Sequence, residues 1–191
     1  MSGFDVKVEN VVVFATLGVD VPLEKISVEL DAAEYAPESF PGVIYRIKEP
    51  RVATLIFSSG KIVCTGARSI ESAKVAVEKV INDLRGLDVN VPKDYALKVE
   101  NIVASTQMHV DQKLDLDQIA FNLENSEYEP ESFPGLVFRL TEPRVAFLLF
   151  GTGKMICTGS RNQEDIHTAL TSFRGKLEAI GVPVQPIPAS N

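Results

Sequence analysis

Tryptophan is absent from this chain of 191 residues, and cysteine and histidine occur only twice each. Two cysteines cannot build the disulfide framework of a small secreted domain, which points to a reducing compartment. His109 and His167 stand at unrelated positions, and neither cysteine has a second ligand at metal-binding spacing, so no metal or cofactor is expected. Gly60-Lys61-Ile62 and Gly153-Lys154-Met155 lack the further glycines and the following helix of a phosphate-binding loop. With no nucleophile and base in evidence, nothing indicates an enzyme. No apolar run approaches the roughly 18–20 residues of a membrane-spanning helix, and Met1–Asn10 lacks the apolar core of a secretory signal. What is plentiful is apolar side chains, 45% of the total, enough to exclude disorder and to close a core. The net charge of −7 argues against nucleic-acid binding through bulk charge.

The chain is written twice. Glu34-Tyr35-Ala36-Pro37-Glu38-Ser39-Phe40-Pro41-Gly42 returns 93 residues later as Glu127-Tyr128-Glu129-Pro130-Glu131-Ser132-Phe133-Pro134-Gly135. At the same offset Arg46, Glu49-Pro50-Arg51, Phe57, Gly60-Lys61, Cys64-Thr65-Gly66 and Arg68 meet Arg139, Glu142-Pro143-Arg144, Phe150, Gly153-Lys154, Cys157-Thr158-Gly159 and Arg161. Nearer the start the offset is 91, with Val8-Glu9-Asn10-Val11 meeting Val99-Glu100-Asn101-Ile102, so the second copy carries two extra residues ahead of its first helix. Two copies are too few for a solenoid. A duplicated unit follows, one copy over 1–92 and the other over 93–191, related by an approximate two-fold axis.

Each copy reads as an opening strand, a short helix, three strands and a long helix. Val6–Phe14 and Leu97–His109 are rich in β-branched residues, and Leu23, Ile26 and Leu30 (then Leu116, Ile119 and Leu123) fall at helical spacing. Strands are predicted at Val43–Lys48, Arg51–Phe57 and Lys61–Gly66, and again at Leu136–Thr141, Arg144–Phe150 and Lys154–Gly159. The long helices begin after Ser69 and Asn162 as N-caps and stop at Gly86 and Gly181, and the proline-rich tail Val182–Asn191 is expected to fray. This is an α+β pattern with helices on one face of an antiparallel sheet.

Such a sheet should be polar on its open face. Here it is not. Val52, Thr54 and Ile56 oppose Arg51, Ala53, Leu55 and Phe57; Val145, Phe147 and Leu149 oppose Arg144, Ala146, Leu148 and Phe150. Ile62 and Cys64 oppose Lys61, Val63 and Thr65, while Val11, Val13 and Ala15 oppose Asn10, Val12 and Phe14. In the second copy Ile102 and Ala104 oppose Asn101, Val103 and Ser105. Too few helices exist to cover both faces. An exposed apolar face rimmed by cations marks a binding surface. Arg and Lys at strand ends suit phosphates, paired Asn and Thr offer hydrogen bonds, and Phe near strand ends can wedge between bases. A second packed layer or a homodimer interface fits the same pattern.

These residues resemble the TATA-box-binding protein core family, in particular its archaeal members, over about Val6 to Val182. The resemblance rests on Asn-Ile/Val-Val, Tyr-x-Pro-Glu-x-Phe-Pro-Gly, Arg-x-x-Glu-Pro-Arg, Phe-x-x-Gly-Lys and Cys-Thr-Gly-x-Arg, each present in both copies. It implies one saddle-shaped, ten-stranded antiparallel sheet with four helices on its convex side and an A·T-rich minor groove beneath the concave side. It also implies a general transcription factor that kinks promoter DNA and nucleates a preinitiation complex with transcription factor B and, indirectly, RNA polymerase. Its place would be the archaeal cytoplasm, at the nucleoid.

Carried onto this chain, the resemblance makes wedges of Phe40 with Phe57 and Phe133 with Phe150. Asn10, Asn101, Thr65 and Thr158 become the central hydrogen-bonding set, and Val12, Leu55, Val63, Val103, Leu148 and Ile156 the apolar floor. Arg46, Lys48, Arg51, Lys61 and Arg68, with Arg139, Arg144, Lys154 and Arg161, match the phosphate-flanking cations; Thr141 replaces the cation present at Lys48. Glu129 and Glu131 match the loop on which transcription factor B docks, although an acidic loop can equally be a solvated one. Cys64 and Cys157 are small core residues. Two other readings remain at this stage: a noncatalytic protein–protein scaffold or dimer using the same face, and a DNA-repair enzyme domain. The last needs a catalytic Asp or Lys beside a base pocket, which the sequence does not supply.

Overall fold

The computed structural model describes residues 2–187. Two compact units appear: Glu9–Glu100, and the described parts of Met1–Val8 together with Asn101–Asn191. In the first unit the chain runs β1 (Lys7–Thr16), α1 (Leu23–Glu29), β2 (Ala33–Tyr35), β3 (Gly42–Ile47), β4 (Val52–Phe57), β5 (Lys61–Ala67) and α2 (Ile70–Gly86). In the second it runs β6 (Ala96–His109), α3 (Leu116–Asn122), β7 (Ser126–Glu127), β8 (Leu136–Leu140), β9 (Val145–Leu149), β10 (Lys154–Ser160), α4 (Gln163–Ala179) and β11 (Gln185–Pro186). Pairing is antiparallel, in the order β2-β3-β4-β5-β1 in one unit and β6-β10-β9-β8-β7 in the other. The fold is α+β and duplicated, as the repeated motifs require.

Alternation along the strands decides which face closes. In β4 Val52, Thr54 and Ile56 are buried and in β9 Val145, Phe147 and Leu149 are buried, while the residues between them stay half-exposed. The long helices cover the buried side through Ala73, Ala76, Val77, Val80, Ile81 and Leu84 in α2, and Ile166, Ala169, Leu170, Phe173 and Leu177 in α4. The cores differ. Phe138, Phe147 and Phe173 stack in the second unit, with Phe173 centred 4.7 Å from each of the other two. The equivalent first-unit positions hold Tyr45, Thr54 and Val80; there the buried Thr54 hydroxyl donates to the Tyr45 carbonyl at 2.7 Å, and the Tyr45 hydroxyl to Asp83 at 2.9 Å.

Both long helices begin at the expected caps: Ser69 Oγ accepts the Ser72 N–H at 3.0 Å, and Asn162 Oδ1 the Asp165 N–H at 2.8 Å. Their ends differ. α4 stops before Gly181, whose φ is 86°, but Gly86 is the last residue of α2 rather than its stop. The left-handed position there is Asp88, at φ 63°, held beside Lys25, whose Nζ donates to the Leu87 carbonyl at 2.7 Å. The two extra residues of the second copy lengthen β6 at its end, where Met108 and His109 pair with β11. Part of the tail expected to fray is therefore a strand; the remainder, 188–191, lies outside the described residues. Among the described residues no helix is long and apolar enough to cross a membrane.

Candidate nucleic-acid interface

On the face opposite the helices, cross-strand register lines side chains into rows. In the first unit Arg46, Ala53 and Thr65 share one row, and Ile44, Leu55, Val63 and Phe14 the next. In the second unit Arg139, Ala146 and Thr158 form the matching row, and Val137, Leu148, Ile156 and Ser105 the next. Leu55, Val63, Leu148 and Ile156 are half-exposed, as are Val12 and Val103, so among the described residues no element seals this floor. Antiparallel partners face the same side of a sheet, which makes each floor a continuous apolar strip.

At the side of each strip a bulge fixes an amide. Between Val11 and Val13 the pairing of β1 with β5 slips by a residue, and between Cys157 and Ser160 that of β10 with β6 does the same. Gly66 and Gly159 occupy the bulges at φ 99° and 101°, a conformation that glycine adopts without strain. Each N–H donates to the carboxamide of an asparagine, Gly66 to Asn10 and Gly159 to Asn101, at 2.7 Å in both cases. The same carboxamides donate through Nδ2 to Thr65 at 3.3 Å and Thr158 at 3.2 Å. With Oδ1 held by the backbone, Nδ2 is fixed as a donor with a second proton to give, and each threonine, already accepting, keeps its own hydroxyl proton for a partner.

At the end of each strip two phenylalanine rings meet edge to face, Phe40 with Phe57 at 5.7 Å and Phe133 with Phe150 at 5.8 Å. Phe133 remains 38% exposed and the other three are half-exposed, so none is a core ring. Gly42 and Gly135 make room for them: a Cβ on Gly42 would lie 3.0 Å from Phe40 Cε1, and one on Gly135 2.8 Å from Phe133 Cε1. A tight turn presents the first ring of each pair, with the Phe40 and Phe133 N–H groups donating to the Ala36 and Glu129 carbonyls at 2.9 Å. Glu129 and Glu131 are exposed in that second turn.

All nine cations are exposed. Several are already engaged within their own unit, however: Arg46 with Glu34 at 2.8 Å, Arg139 with Glu127 at 3.5 Å and Arg68 with Glu9 at 3.8 Å. Lys61 lies 4.2 Å above the Phe14 ring. Exposed pairs of this kind contribute little to stability. Burial pushes the Cys64 thiol up to about 11 and the Cys157 thiol up to about 12, marking both as inert core groups. Among the described residues no group of three His, Cys, Asp or Glu gathers as a metal site.

The sequence reading missed the anchoring glycines Gly66 and Gly159, whose signal was present as Cys-Thr-Gly in both copies. It also left Ile44, Val137 and Phe14 out of the floor, although Phe14 was assigned to the open face by parity.

A family model described as "Transcription factor TFIID (or TATA-binding protein, TBP)" matches residues 5–87 and 96–180, one match per repeat. The TATA-box-binding protein of Methanothermobacter thermautotrophicus is 44% identical over 177 residues, 93% of this chain and 97% of the relative. That of Methanosphaera stadtmanae is 47% identical over 177 residues, 93% of this chain and 96% of the relative. The solved structure of Methanococcus jannaschii TBP superposes with a TM-score of 0.84 at 42% identity, covering 92% of this chain and 99% of that one. Matched once per repeat by the family model and along nearly its whole length by these relatives, the chain belongs to the TATA-box-binding protein family.

Proposed function

We propose that this chain is a general transcription factor whose two repeats each lay the open face of their sheet on the minor groove of A·T-rich promoter DNA. The observation that carries the reading is the bare apolar strip of each repeat, bordered by a fixed Asn–Thr donor pair and ended by an exposed Phe pair. A·T and T·A pairs present only acceptors in the minor groove, adenine N3 and thymine O2, so donors from Asn10, Thr65, Asn101 and Thr158 can serve either. The guanine amino group finds no acceptor on Val12, Leu55, Val63, Val103, Leu148 or Ile156, and is rejected as an unpaired buried donor. Discrimination between A·T and T·A then rests on how readily the duplex deforms.

The phenylalanine pairs act as wedges, unstacking a base step at each end and kinking the duplex, a mode for which this family is the type example. The cations hold phosphates and exchange their internal carboxylates for them, releasing counterions from the DNA. Glu129 and Glu131 offer an acidic docking loop for a B-type initiation factor, through which RNA polymerase is recruited. Free of DNA, the same strips suit a homodimer, and a protein scaffold is the alternative reading. The test is a duplex bearing a fluorophore at each end. Binding should raise end-to-end energy transfer on an A·T-rich site and leave it unchanged on a G·C-rich one. Equal transfer with and without protein on every duplex contradicts the reading.

A further inference from the structure

The two strips are not equivalent, and they differ most at one position. Along Ile44, Leu55, Val63 and Phe14 the first repeat is apolar to its end, and Lys61 caps the last ring from 4.2 Å. Along Val137, Leu148, Ile156 and Ser105 the second repeat ends instead on a hydroxyl. Register fixes the equivalence, since Phe14 pairs with Val63 as Ser105 pairs with Ile156. The surroundings differ in kind as well: Ser105 borders a shallow groove shared with Asp5, Lys7, Gln107 and Lys154.

We propose that Phe14 and Ser105 make the two repeats read their half-sites unequally: the first repeat rejects a G·C pair at the end of its strip, and the second tolerates one. The proposal rests on minor-groove binding as the function. A guanine amino group pressed against the Phe14 ring loses its water and gains no acceptor. At Ser105 the hydroxyl oxygen carries acceptor lone pairs, and the smaller side chain leaves room for the amino group. A lysine stands near each residue, Lys61 over Phe14 and Lys154 in the groove beside Ser105, so the contrast lies in the strand side chains themselves. A promoter with one G·C-tolerant end is thereby bound in one direction.

The test uses the full chain and a dyad-symmetric A·T-rich duplex, with a G·C pair scanned through equivalent positions of one half or of both. On the symmetric duplex both orientations are equal. At the position beneath Phe14, a one-sided G·C pair removes only one orientation and weakens binding by about twofold. The two-sided change forces guanine under Phe14 and weakens binding by about tenfold or more. A dye on the protein and a quencher at one DNA end should show the one-sided duplex bound in a single direction. F14S should abolish both losses, and S105F should raise the one-sided loss to about tenfold, with thermal melting confirming that both variants fold. Losses that multiply equally at every position, or an orientation bias that survives F14S, overturn the proposal alone. Failure of the wild-type chain to bind the unsubstituted A·T duplex overturns the function it rests on.

Discussion

Asn10 donates from Nδ2 to the Thr65 hydroxyl at 3.3 Å while its Oδ1 is held by the Gly66 N–H at 2.7 Å. A flexible carboxamide thus becomes a donor of fixed direction, and the arrangement returns at Asn101 with Thr158 and Gly159. Asn10→Asp keeps the acceptor for Gly66 and replaces the donor by a carboxylate beside DNA. The variant should melt within a few degrees of the parent yet bind an A·T duplex at least about tenfold more weakly. Parent-like affinity in fluorescence anisotropy would show that the amide makes no groove contact.

The wedge rings are exposed, so their removal should spare the fold. Phe57→Ala and Phe150→Ala are expected to lower the energy-transfer change on DNA binding with little loss of thermal stability. A collapse of the melting transition would mean that the rings are core.

Gly135 tests the same pair from beneath. A methyl there would press on Phe133 Cε1 from 2.8 Å, and an exposed side-chain tip can move aside. Gly135→Ala should therefore leave melting nearly unchanged while reducing bending. A large drop in stability, or bending equal to the parent, contradicts the role assigned to the glycine.

Both thiols are buried and raised, Cys64 to about 11 and Cys157 to about 12, each through desolvation by burial. A raised thiol stabilises the fold below its unfolded value and withdraws that support as pH rises through the folded one. At pH 8 neither should react with a thiol reagent on the native protein, and both should react at once in denaturant. Rapid labelling of one thiol in the native state would reveal local opening at its strand.

The duplication made most of this architecture legible, because Phe-Pro-Gly, Glu-Pro-Arg and Cys-Thr-Gly recur with their spacing intact. Alternation alone assigned Leu55, Val63 and Leu148 to the open face and the resemblance added Ile156; all four lie half-exposed. Short elements escaped notice: β2 and β7 span three and two residues, too few for any periodicity, and β11 holds a proline. The end of α2 was misread because Asp88 takes the left-handed place that Gly181 fills in α4. Contacts between distant residues were invisible, above all the bulge that joins Asn10 to Gly66 and the carboxylates beside Arg46, Arg68 and Arg139.

Charge reversal at the acidic turn separates partner docking from DNA binding. Glu129→Lys with Glu131→Lys should abolish recruitment of a B-type factor to labelled promoter DNA while leaving binary DNA affinity unchanged or higher. Recruitment equal to the parent would remove these two side chains from the docking surface.

The most direct measurement compares equilibrium binding of an A·T-rich duplex and a G·C-rich duplex of equal length across a salt series. Tighter binding to the A·T duplex is expected at every salt concentration, with log affinity falling linearly against log salt as phosphate-bound counterions are released. Equal affinity for the two duplexes, or affinity indifferent to salt, contradicts minor-groove recognition by the open face.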